Sequence, residues 1–98
     1  MAVTLINVFS VPAGKEAEFV TWWHDVKANI TKRPGFISGK FYKSLKPESR
    51  YNFINIALWE SEELYWKAYE QSAAPMKGKL DQLGIEMTPA LYAVAFEY

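Results

Sequence analysis

Two asparagines and a tryptophan stand at positions where the surrounding pattern calls for apolar side chains. Successive residues of a strand point to opposite faces, so Tyr51, Phe53, Asn55, Ala57 and Trp59 share one face, and Asn52, Ile54, Ile56 and Leu58 share the other. Near the N-terminus VTLINVFSV repeats the arrangement, with Asn7 beside Val3, Leu5, Phe9 and Val11. A buried amide without a hydrogen bond costs ~1–3 kcal/mol, so each asparagine needs a partner. One explanation is a core amide satisfied by neighbouring main chain, with Trp59 as core filler. The other is a greasy pocket in which amides and an indole N–H meet an aromatic, oxygen-bearing ligand.

The elements that must position these groups follow from periodicity. Residues 3–11 alternate as a strand that Pro12-Ala13-Gly14 ends. From Lys15 to about Lys32 the period becomes helical, with Phe19, Trp23, Val26 and Ile30 on one stripe, and Pro34-Gly35 stops it. Phe36 to Ser44 predicts a second strand, residues 45–49 an exposed loop, and 50–60 a third strand. Ser61 is a good N-cap, and Glu62 and Glu63 complement the positive end of the next helix dipole, which runs to about Ser72. Ala74-Pro75 interrupts it, and a shorter helix from Met76 to Leu83 ends at Gly84. Residues 90–97 close the pattern as a fourth strand.

The 98 residues predict one domain, 1–98, and carry 11 basic and 11 acidic side chains, which leaves no electrostatic case for nucleic acid or a membrane surface. No Gly-rich phosphate loop is present. The absence of cysteine excludes disulfides, thiolate nucleophiles and most structural zinc or iron–sulfur sites. No run approaches 18 apolar residues and no charged leader precedes an apolar core, so the expected location is cytoplasmic. The aromatic share, 16%, exceeds what so small a core needs for packing alone.

The order β-α-β-β-α-β predicts an α+β, ferredoxin-like antiparallel sheet with both main helices on one face. Strand order 4-1-3-2 would put the first and third strands side by side, so that Asn7 and Asn55 face a common cavity. Both faces of the sheet read as apolar: Ile6 and Val8 oppose Leu5 and Phe9, and Ile54, Ile56 and Leu58 oppose Phe53 and Trp59. Helices cover only one face, and an open apolar face of several strands exceeds what a monomer usually shows. The expectation is a homodimer through the sheet face, a dimeric α/β barrel.

The framework VPAGKEAEF at 11–19, PGF at 34–36 and NIALWES at 55–61 resemble the antibiotic biosynthesis monooxygenase family over roughly residues 3–72. The resemblance is nearest to its cofactor-independent anthrone monooxygenases, which convert a polycyclic anthrone to its quinone with O2. It implies Asn7, Asn55 and Trp59 as catalytic N–H donors, no cofactor, no metal, and a small aromatic substrate with O2 as partners. Phe9, Trp23, Phe53 and Tyr65 become candidate walls for the rings, and His24, the only histidine, a candidate lining group and proton acceptor. Trp22, Trp66 and Tyr69 read as packing, Arg50 and Lys43 as surface charges, and Met76 and Met87 as gap fillers. Haem-degrading relatives share Asn7 and Trp59 but place a haem-ligating histidine on the later helix, where QSAAPMKGKL has none. A non-catalytic small-molecule-binding barrel is the remaining alternative.

Overall fold

Strand order in the sheet is β2-β3-β1-β4, every pair antiparallel, which puts the two asparagine-bearing strands at the centre. The computed structural model describes residues 1–98. Its elements are β1 (Val3–Ser10), α1 (Glu16–Ile30), β2 (Phe36–Lys43), β3 (Phe53–Trp59), α2 (Glu62–Ser72), a 3₁₀ turn (Ala74–Met76), α3 (Lys77–Leu83) and β4 (Glu86–Tyr92). The sheet is open rather than closed into a barrel. No helix is long and apolar enough to cross a membrane.

Alternation decides which side chains enter the core. On one face Leu5, Asn7 and Phe9 of β1 and Phe53, Asn55, Ala57 and Trp59 of β3 are all buried; on the other Ile56 and Leu58 each remain 36% exposed. Helix α1 carries Glu16 and Glu18 in its first turn, where the dipole favours them. Its buried stripe is Phe19, Trp22, Val26 and Ile30. Trp22 therefore takes the core position expected of Trp23, and its indole N–H donates to the Met76 carbonyl at 2.8 Å, tying α1 to the 3₁₀ turn. Both residues lie within the apolar arc of the helix, and that tertiary hydrogen bond favours Trp22.

Two junctions depend on glycine. Gly35 sits at φ +97°, and a Cβ there would lie 2.6 Å from Leu64 Cβ, so only glycine lets the end of α1 pass under α2. Its carbonyl accepts from Glu60 N at 2.8 Å. Gly84, at φ +71°, closes α3 in the left-handed conformation, with Ile85 N donating to Leu80 O at 2.9 Å. Ser61 caps α2 as expected, its hydroxyl accepting from Leu64 N at 3.2 Å.

The last strand departs from the sequence expectation of 90–97. It runs from Glu86 to Tyr92 and pairs with β1 from Ser10↔Glu86 to Thr4↔Tyr92. Pro89 argues against a central strand, but β4 lies at the sheet edge, where a missing N–H costs no ladder bond. Residues 93–98 continue past the sheet without pairing, with Val94, Phe96 and Tyr98 exposed. The third strand is also shorter than the expected 50–60: it begins at Phe53, although the main-chain carbonyl of Asn52 still accepts from Ser44 N at 2.8 Å. Instead of pointing to the outer face, the buried side-chain amide of Asn52 accepts from Val11 N and donates to Val11 O, each at 2.9 Å. Arg50 then lies 5.1 Å from the centre of the Tyr51 ring.

Candidate active site

Between the helices and the inner face of the sheet lies a cavity of about 400 Å³, within the ~300–1,000 Å³ typical of small-molecule sites. Fifteen of its 22 lining residues are hydrophobic, which makes each polar group in the wall informative. Asn7 and Asn55 reach it as direct cross-strand partners on the buried face. Trp59 enters from the end of β3, only 1% exposed. Its indole is held edge-on by Phe36 and Tyr65, both at a centroid distance of 5.4 Å.

Two wall atoms have no partner. Trp59 Nε1 and Asn7 Oδ1 are the buried side-chain polar atoms without a hydrogen bond. Each forfeits ~1–3 kcal/mol unless something in the cavity satisfies it. Asn7 Nδ2 instead lies 3.9 Å from Met87 Sδ. The free atom of Asn7 is thus its carbonyl oxygen, an acceptor, where the sequence suggested a donor. The Asn55 amide makes no hydrogen bond within the chain, leaving its donors and acceptor available to the cavity.

The aromatic residues divide into walls and support. Phe9, Trp23 and Tyr65 line the cavity, as does Phe41, which stands opposite Asn55 on β2 and packs 4.4 Å from the Trp23 ring. Phe53 is placed elsewhere: it lies in the core against Phe19, at 4.9 Å, and contributes no wall. Burial, with Tyr69 adding to it, holds the Tyr65 phenol well above its ordinary pKa, so this side chain stays a neutral O–H. His24, Lys27 and Lys40 are exposed lining residues, and the lining holds no aspartate or glutamate. Nowhere do three or more His, Cys, Asp or Glu side chains converge as a metal site would require. Trp22, Phe36, Phe41, Tyr69 and Met87 are wall residues absent from the sequence-based set. Strict alternation from Phe36 would put Phe41 on the opposite face; the irregularity between Phe36 and Ser38 brings both to the cavity, and only the register against β3 reveals it.

The sequence matches the family model for antibiotic biosynthesis monooxygenases over residues 2–75. No curated protein matches it. Among solved structures it is similar to a candidate monooxygenase from Shewanella loihica, at 32% identity over 98% of this chain and 96% of that one, with a TM-score of 0.84. It also shares its fold with SnoaB, a cofactor-independent oxygenase from Streptomyces nogalater, at 24% identity over 98% and 95% of the two chains, TM-score 0.80. A haem-degrading protein from Mycobacterium tuberculosis has the same fold at 20% identity over 100% and 99%, TM-score 0.68. With the stretch from β1 through α2 matched, both asparagine-bearing strands and Trp59 included, this chain belongs to the antibiotic biosynthesis monooxygenase family.

Proposed function

We propose that this chain is a cofactor-independent monooxygenase that oxidises an anthrone-like polycyclic phenol to a quinone with O2. The observation that carries the reading is the pair of unpaired polar atoms, Trp59 Nε1 and Asn7 Oδ1, buried in the wall of an apolar cavity. A flat aromatic ligand bearing oxygens at its rim satisfies both while its rings lie against Phe9, Trp23, Phe41 and Tyr65. The oxygenase named among the similar folds is described as cofactor-independent, which accords with this chemistry.

The substrate itself supplies the electrons. Loss of one proton from the ring methylene gives an enolate, which passes one electron to O2; the carbon radical and superoxide combine and take up a proton to form a hydroperoxide. Elimination of water, with the second methylene hydrogen leaving as a proton, forms the new carbonyl. One oxygen atom enters the quinone and the other leaves as water. Trp59 N–H and the Asn55 amide are the donors that favour the enolate oxygen, and such a preorganised donor in a dry site is worth a few kcal/mol of barrier. His24, exposed at the lining, is the proton acceptor in reach of solvent. The haem alternative lacks its ligand: residues 71–80 contain no histidine, and His24 stands on α1.

The outer sheet face completes the proposal as the contact with a second copy, in a dimeric α/β barrel. The test of activity is oxygen uptake by the purified chain mixed with dithranol or emodin anthrone in the presence of a chelator. Stoichiometric uptake with quinone absorbance supports the reading, and Trp59→Phe and Asn7→Ala should each lower turnover at least about tenfold. No uptake with either anthrone, or near-normal turnover in both variants, rejects it.

A further inference from the structure

Met87 looks like a gap filler in the sequence, yet its sulfur is the only hydrogen-bond partner that the Asn7 amide has. The sheet brings them together: Met87 stands opposite Phe9 on β4, which places it diagonal to Asn7 on the same face, and both residues line the cavity. A thioether accepts a weak hydrogen bond and donates none. Turning the Asn7 amide over would forfeit that bond and set its carbonyl oxygen against the sulfur lone pairs. The NH2 group is therefore held toward Met87, and Oδ1 is left buried and unpaired. Trp59 differs in kind, because an indole Nε1–H is a donor only.

We propose that Met87 is a positioning residue that makes Asn7 a hydrogen-bond acceptor, so that the cavity selects polycyclic aromatic ketones bearing a free hydroxyl over their ethers. The inference rests on the cavity's being the substrate site and deepens that reading. The ligand oxygen that meets Asn7 must carry a proton, whereas the one that meets Trp59 must accept one. A hydroxylated aryl ketone offers both; its methyl ether leaves the Asn7 carbonyl buried and unpaired.

Binding of 2,6-dihydroxyanthraquinone and of its dimethyl ether, read by quenching of tryptophan fluorescence, tests this without turnover. The unaltered chain should bind the diol at least about fivefold more tightly than the ether. Met87→Leu conserves volume but frees the amide to rotate and offer its NH2 to an ether oxygen, and should bring the ratio below about twofold by tightening the ether while the affinity for the diol changes little. A role in packing alone would weaken both ligands together and leave the ratio intact. Asn7→Leu, which removes a buried unpaired carbonyl and should fold at least as well as the unaltered chain, should also abolish the preference. Equal affinities in the unaltered chain, or a preference that survives Met87→Leu, overturn the proposal. Quenching by neither ligand overturns it together with the assignment of the cavity. A hydroxyl preference without oxygen uptake on anthrones would sink the oxidation and leave this inference standing.

Discussion

The three buried asparagines of this chain show how one residue type serves opposite ends. Asn52 spends both ends of its amide on the Val11 main chain and locks the end of β1 to the start of β3. Asn7 and Asn55 stay unsatisfied or nearly so, facing the cavity. Stability measurements should separate them. Asn52→Ala removes two buried hydrogen bonds and leaves the Val11 groups unpaired, and should cost about 2–4 kcal/mol in denaturant unfolding with the specific activity of the folded fraction retained. Asn7→Leu removes an unpaired carbonyl and should be neutral or stabilising by about 1 kcal/mol while turnover falls. Equal losses of stability would mean that Asn7 already has its partner. Tyr65 adds a pH dependence. Its folded pKa is raised from an ordinary value of 10.0, so the folded state holds the proton more tightly than the unfolded chain. Its contribution to stability is fully present below pH 10 and is lost as pH rises beyond that value. Tyr65→Phe should flatten the alkaline fall in melting temperature between pH 9.5 and 11, checked by scanning calorimetry against the unaltered chain.

At the scale of elements, the cavity exists because neighbouring segments are pinned around it rather than packed into it. Trp22 ties α1 to the 3₁₀ turn through the Met76 carbonyl, and Arg33 donates to Ser72 Oγ at 3.0 Å, joining the ends of α1 and α2. The Pro34-Gly35 turn is the tightest junction, since Gly35 lies under Leu64 at positive φ. Gly35→Ala should destabilise by about 2–4 kcal/mol, combining a left-handed backbone with a Cβ overlap, and urea unfolding monitors it. Gly14 also has positive φ but nothing within 4 Å of a Cβ, so Gly14→Ala should cost no more than about 1–2 kcal/mol.

The whole molecule presents one covered and one bare sheet face. Its broad dimensions are 39 and 35 Å, ample for the ~800 Å² per partner that a stable interface buries. Ile56, Leu58 and Tyr42 are exposed on or beside the central strands, and the tail carries Val94, Phe96 and Tyr98 at 70%, 76% and 113% exposure. A second copy covering this face is the proposal that accounts for so much exposed apolar surface. Light scattering coupled to gel filtration should give twice the chain mass, and Ile56→Lys should shift it to monomer. A monomeric mass for the unaltered chain at micromolar concentration would overturn the dimer.

Periodicity alone was enough for the ferredoxin-like order, the central pairing of β1 with β3, and the common face of Asn7, Asn55 and Trp59, because alternation and helical spacing are local and the burial they imply is strong. The choice of Trp22 over Trp23 for the core, the retreat of Phe53 from the cavity and the capture of Asn52 by Val11 were not legible. Each turns on a contact between segments far apart in sequence, between alternatives that the local pattern leaves equivalent. The same holds for β4, whose start is set by residue-by-residue pairing with β1 and whose proline is acceptable only because the strand lies at an edge. The sense of the Asn7 amide is the furthest from the sequence: it depends on a sulfur 80 residues away that only the folded sheet places beside it.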